Sequence, residues 1–211
     1  MIILIKIYAI SNKTKREGGY LKVIITDTSI VLNKNGSDCI SRNPLVKNKN
    51  CTKLLSIVDD KGVSLFVDYF SGSKNDGKCL LSYLDKFLSE NIGIVTFLAD
   101  SGFYTSDIID ILKKHDVKPL IAKNVRNCKK YKCKINKKGK KIKLSYAQKI
   151  ARQLEDMTKR EKNLFKKRCK IENSYAGFKQ IPRFSVRYDK YIACFRALSL
   201  IYFCEQIIKH L

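Results

Sequence analysis

The chain has 211 residues, 45% of them hydrophobic, which suits one domain with a buried core and excludes a disordered chain. Its 43 Lys and Arg against 19 Asp and Glu leave a net charge of +24, a surplus that repels itself and seeks a polyanion, most simply nucleic acid. Part of that surplus also fits an AT-biased genome, because Lys, Ile and Asn are all abundant.

The opening MIILIKIYAI is apolar but short, is interrupted by Lys6 and lacks a small-residue cleavage site. It is neither a membrane span nor a signal peptide and is expected to dock on the core or to be a remnant, so residues 1–19 form an extension. Residues 20–32 (YLKVIITDTSIVL) are β-rich, with Asp27 in the second half, and NKNGSD follows as a turn. Residues 51–72 read as two strands joined at Asp59-Asp60-Lys61-Gly62, a hairpin. Residues 76–91 carry Leu80, Leu81, Leu84, Phe87 and Leu88 at helical spacing. Residues 92–104 contain a continuous apolar run ending at Asp100, as in a buried central strand.

A Thr/Ser cap opens a second helix over residues 105–116, and VKPLIAK is a short strand. The basic tract at about 124–144 has few core-forming residues and reads either as a β-excursion or as a mobile loop. Residues 145–180 form a long helical stretch, and residues 191–211 a final helix apolar enough to be well buried. Three strands, helix, strand, helix, strand and then long helices give an α/β fold, a mixed sheet of ribonuclease H-like type with helices on both faces. No internal repeat appears.

Eight cysteines lack any C-x-x-C pair, and the two histidines stand apart, which argues against a zinc finger or a disulfide frame. Reduced thiols read as those of a cytoplasmic or nucleoid/nuclear chain rather than a secreted one. Nothing in it is long and apolar enough to span a bilayer.

Asp27 and Asp100 each lie at the end of an apolar strand, where side chains converge at one edge of a sheet. Two such carboxylates repel unless a hard cation sits between them. Two magnesium ions held there activate a water or a 3′-hydroxyl and stabilise the leaving oxygen of a phosphodiester. Glu172, on a helix packed beside the strands, fits as the third acid. Other readings stand beside these: Asp27 and Asp100 as turn formers, and Glu172 as the i,i+4 partner of Arg168. Asp59 and Asp60 read as hairpin-turn residues, while Asp68 and Asp76 show no obvious partner. Phe103 and Tyr104 read as core, and Tyr175 as either core or base-stacking.

These features resemble the catalytic domain of insertion-sequence transposases of the DDE superfamily, in the group with a Tyr-Arg-Glu-Lys signature. Arg168, Glu172 and Lys179 match its spacing, with Phe165 where the Tyr belongs. TDTS around Asp27 is similar to the first-acid motif. The stretch LADSGFYTSDIIDILKKHDVKPLIAK is similar to the second-acid block. The hairpin sequence and SGSKNDGK also resemble family segments, so the resemblance runs from about Tyr20 to the end.

It implies metal-dependent DNA strand cleavage and strand transfer with two magnesium or manganese ions on Asp27, Asp100 and Glu172. Arg168 and Lys179 would contact phosphates, with Phe165 keeping a stacking surface but losing the hydroxyl. Arg183, Arg187, Lys123 and Arg126 would extend the basic face, or stand as solvated charges. Family members usually carry a helical DNA-binding region before the first acid, and here only about twenty residues precede the catalytic domain. End recognition is then expected from an upstream DNA-binding polypeptide, with the chain acting as a homodimer on transposon ends and target DNA. A catalytically inactive DNA-binding descendant and a related metal-dependent nuclease are the competing readings.

Overall fold

A computed structural model describes residues 23–90, 93–124 and 146–211. The N-terminal extension and nearly all of the basic tract, including Arg126, lie outside the described residues. In chain order the strands are β1 (Val23–Asn33), β2 (Ser41–Asn43), β3 (Lys49–Asp59), β4 (Ser64–Ser71), β5 (Thr96–Ala99), β6 (Lys118–Ile121) and β7 (Val186–Arg187). The helices are α1 (Asp76–Leu81), α2 (Leu84–Glu90), α3 (Ser106–Lys114), α4 (Tyr146–Gln153), α5 (Lys159–Phe165), α6 (Cys169–Gln180), α7 (Pro182–Ser185) and α8 (Ile192–Ile208).

β1 is the centre of one mixed sheet. β3 runs antiparallel to it, with β4 and the short β2 sharing the outer side of β3, and β5 and then β6 extend the other side in parallel. This is the ribonuclease H-like arrangement. Side chains alternate across the pleat, so Ile24 and Ile25 enter different cores. Ile24, Leu55, Ile57, Phe97 and Ala99 pack with Leu80, Leu84, Phe87, Ile108 and Leu112, the layer of α1 to α3. Ile25, Val31, Leu54, Val58 and Leu98 pack with Ile171, Tyr175, Phe178, Phe195 and Phe203, the layer of α6 and α8. Burial on both faces explains why the strands read as unbroken apolar runs.

The β3–β4 hairpin turns as its sequence suggests. The Asp59 carboxylate accepts from the amides of Lys61 and Val63, both at 2.9 Å, and Gly62 takes a positive φ of 93°. Three expectations need correction. The helix over 76–91 is two helices, because the chain breaks at Ser82-Tyr83 and sets the Tyr83 ring 5.0 Å from Phe66, on β4. The long helical stretch is also broken: Thr158 and Glu161 form a capping box that restarts the chain as α5, and a 3-10 turn at Lys166–Arg168 leads into α6.

The third correction concerns α8, which buries only one face. Phe195, Ser199, Phe203 and Ile207 point inward at i,i+4 spacing, whereas Ile201 is 67% exposed and Ile208 is 56% exposed. Among the described residues no helix is long and apolar enough to cross a membrane.

Candidate active site

Asp27 and Asp100 meet because of strand register. The parallel pairing of β1 with β5 ends at Thr26 opposite Ala99, so Asp27 and Asp100 are the next residue on each strand. Asp27 does not close a turn, since β1 continues through it to Asn33. Asp100 does open a short turn with its backbone, but its side chain makes no capping hydrogen bond. Burial pushes the Asp27 carboxyl from its ordinary 3.8 up to about 6. The Arg168 guanidinium and the Thr28 amide oppose that rise, while the charges of Asp100 and Asp76 add to it. Tyr175 donates its hydroxyl to the Asp27 carbonyl at 2.6 Å and is 7% exposed, so it belongs to the core beneath the site.

The turn between α5 and α6 delivers the remaining groups. Arg168 donates to Asp27 Oδ2 at 2.8 Å and to Glu172 Oε1 at 3.1 Å, so one guanidinium bridges two of the three acids. The i,i+4 pair is therefore real, but it is half of a larger arrangement. Lys167 on the same turn reaches Asp60 of the hairpin at 3.3 Å, tying this junction to the β3–β4 turn. An open cleft of about 830 Å³ lies alongside, lined by Asp100, Arg168 and Glu172 together with Lys159, Lys162, Lys166 and Phe165. Phe165 packs partly against the α6 core and presents its remaining surface to the cleft. Lys179, two helical turns beyond Glu172, is half-buried, and that burial lowers its pKa. Among the described residues it has no ion-pair partner.

Two of the other basic residues are committed elsewhere, and a third is buried outright. Lys123 pairs with Asp156, and Arg183 pairs with Asp189 at 2.6 Å. Arg187 is corrected more firmly: it is fully buried and cannot form part of a DNA-binding face. Its guanidinium donates to the Asp38 carboxylate at 2.6 Å, to the Asp38, Asp189 and Lys190 carbonyls, and to the Thr52 hydroxyl. Asp68 and Asp76, which have no visible partner in the sequence, both have one in space. Asp68 accepts from Arg196, and Asp76 accepts from Lys53 at 2.7 Å and from the Thr28 hydroxyl at 2.8 Å.

Among the described residues no three carboxylate, thiol or imidazole groups already stand close enough to hold one ion. The donor set nevertheless fits a hard divalent cation. It consists of carboxylate oxygens, its buried member is penalised as an anion, and two members already share a single cationic group.

Strand order and site together put the chain in the ribonuclease H-like class. More specifically, it belongs to the family described as Transposase DDE domain, whose profile matches residues 17–204. No curated protein matches the chain in sequence. Among solved structures, the catalytic domain of Mos1 mariner transposase is similar at 11% identity, over 89% of this chain and 93% of that one, with a TM-score of 0.37. The Mos1 paired-end complex with left transposon end and the Mos1 strand transfer complex are similar at 12% identity, with TM-scores of 0.36 and 0.35. In both, this chain spans 61% of the other's length. These superpositions are loose, and membership rests on the family match.

Proposed function

We propose that this transposase domain cleaves and rejoins DNA strands at the cleft beside Asp27, Asp100 and Glu172, with divalent metal held by those three acids. The observation that carries this reading is the shared guanidinium: Arg168 joins an acid from β1 to an acid from α6, beside the end of β5. Bound magnesium or manganese, as two ions, supplies Lewis acidity to activate a water or 3′-hydroxyl and to stabilise the leaving oxygen.

The chain's own residues do the rest. Asp27, Asp100 and Glu172 present oxygen ligands from three different elements. Arg168, released from the acids once they have other cationic partners, turns to a phosphate near the cleaved bond. Lys159, Lys162 and Lys166 along the cleft follow the DNA backbone, and Phe165 offers a stacking face. Lys179, half-buried and without a carboxylate partner among the described residues, gains a phosphate partner on binding. Two copies acting on paired DNA ends, with end recognition aided by an upstream polypeptide, complete the assembly.

The test is Glu172→Gln, assayed by nicking of supercoiled plasmid in manganese and by DNA binding. Cleavage should disappear while affinity stays equal or rises, because a negative charge near phosphates is removed. Normal cleavage by the variant would remove Glu172 from the ligand set. Failure of the unaltered chain to nick DNA in manganese would favour an inactive DNA-binding descendant.

A further inference from the structure

Asp76 lies on the opposite side of the sheet from the cleft, yet it bonds to β1 and sits close to the turn that follows β5. Alternation along β1 sends Asp27 toward the α6 layer, with Ile25, and sends Thr28 toward the α1 layer, with Ile24. There the Thr28 hydroxyl donates to Asp76 Oδ1 at 2.8 Å. The same oxygen accepts from Lys53 Nζ at 2.7 Å, and Lys53 donates again to the Lys74 carbonyl at 2.5 Å. Lys53 is 7% exposed, so this pair is anchored within the fold rather than loose at its surface. The Thr28 amide in turn donates to Asp27 Oδ1 at 2.7 Å. On the β5 side, Gly102 approaches so closely that a Cβ there would stand 3.2 Å from Asp76 Oδ2. One carboxylate thus holds the side chain of the residue after Asp27 and packs beside the turn that follows Asp100.

We infer that Asp76 is a positioning residue of the active site. With Lys53 it clamps the Thr28 side chain, which fixes the Thr28 amide that aims the Asp27 carboxylate. It does not line the cleft, so it acts through Thr28 rather than on substrate. Outer partners of this kind orient the ligands of a metal site, and their loss commonly weakens metal affinity tenfold or more. The inference rests on the reading of Asp27 as a metal ligand.

The test is manganese binding to the full chain without DNA, followed by the electron paramagnetic resonance signal of the free ion. Thr28→Val leaves the Lys53–Asp76 pair intact and is expected to weaken binding about tenfold, whereas Thr28→Ser retains the wild-type affinity. Asp76→Asn keeps an oxygen acceptor for Thr28 and should retain more affinity than Asp76→Ala. Thr28→Val combined with Asp76→Asn should bind no worse than Thr28→Val alone. A site in the unaltered chain that Thr28→Val leaves unchanged overturns the positioning role and spares the metal reading. Additive losses in the double variant also overturn it, since Asp76 would then act through its field alone. An unaltered chain with no manganese site overturns the metal reading, and the positioning role falls with it.

Discussion

Asp27 carries the central conflict of the site in one carboxyl group. It needs to be charged to hold a cation, yet it is only 20% exposed and lies within the fields of two other acids, Asp100 and Asp76. Its folded pKa of about 6 lies above the ordinary 3.8, so the folded chain keeps a proton that the unfolded chain releases. In metal-free buffer, stability therefore falls as pH rises from about 4 through 6, and the loss reaches at most about 3 kcal/mol by neutrality. Asp27→Asn removes that penalty. The variant should be more stable than the unaltered chain above pH 6 and lose the advantage near pH 4, as read by urea denaturation at pH 4, 6 and 7.5. Equal stability at pH 7.5 would show that the Asp27 charge is already compensated without metal. The sequence made Asp27 visible because an acid interrupts an apolar strand. Arg168 was visible by its spacing, but its bond to Asp27 spans 141 positions and no local pattern announces it.

At the scale of elements, strand order was legible because apolar runs, a tight turn and capped helices follow one another in sequence. Register was not, and register is what sets Asp27 beside Asp100. The break before α5 was present as a Thr-x-x-Glu box, hidden by helical composition on both sides. The two-residue strand β7 was missed entirely, and with it the role of Arg187. A basic residue near Arg183 reads as part of a DNA face, yet the chain folds it into the junction of β7, the β1–β2 connection and the start of α8. Asp38 accepts from both Arg187 and the Ile192 amide there. Arg187→Met should cost about 3 kcal/mol or more, since removing one partner strands several buried polar groups. Chemical denaturation measures the loss, and a change under about 1 kcal/mol would show that the site relaxes around the substitution.

For the molecule as a whole, charge is placed rather than merely abundant. The surplus of +24 is a property of composition, but the cleft concentrates lysines beside the acids, whereas the basic residues Lys123, Arg183 and Arg187 are held by acids elsewhere. Net charge alone therefore overstates the number of phosphates the chain can neutralise. Lys179 distinguishes placement from abundance: it lies on α6 with Glu172, is half-buried and has no acidic partner among the described residues. Each cation that replaces a counterion on DNA steepens the dependence of log affinity on log salt by about one. Lys179→Ala should weaken duplex binding and flatten that slope by about one. Lys86 is the control, 79% exposed on α2 in the layer across the sheet from the cleft, and Lys86→Ala should leave the slope unchanged. Equal flattening in both variants would mean that DNA senses only the overall charge, and Lys179 would then lose its place among the phosphate contacts.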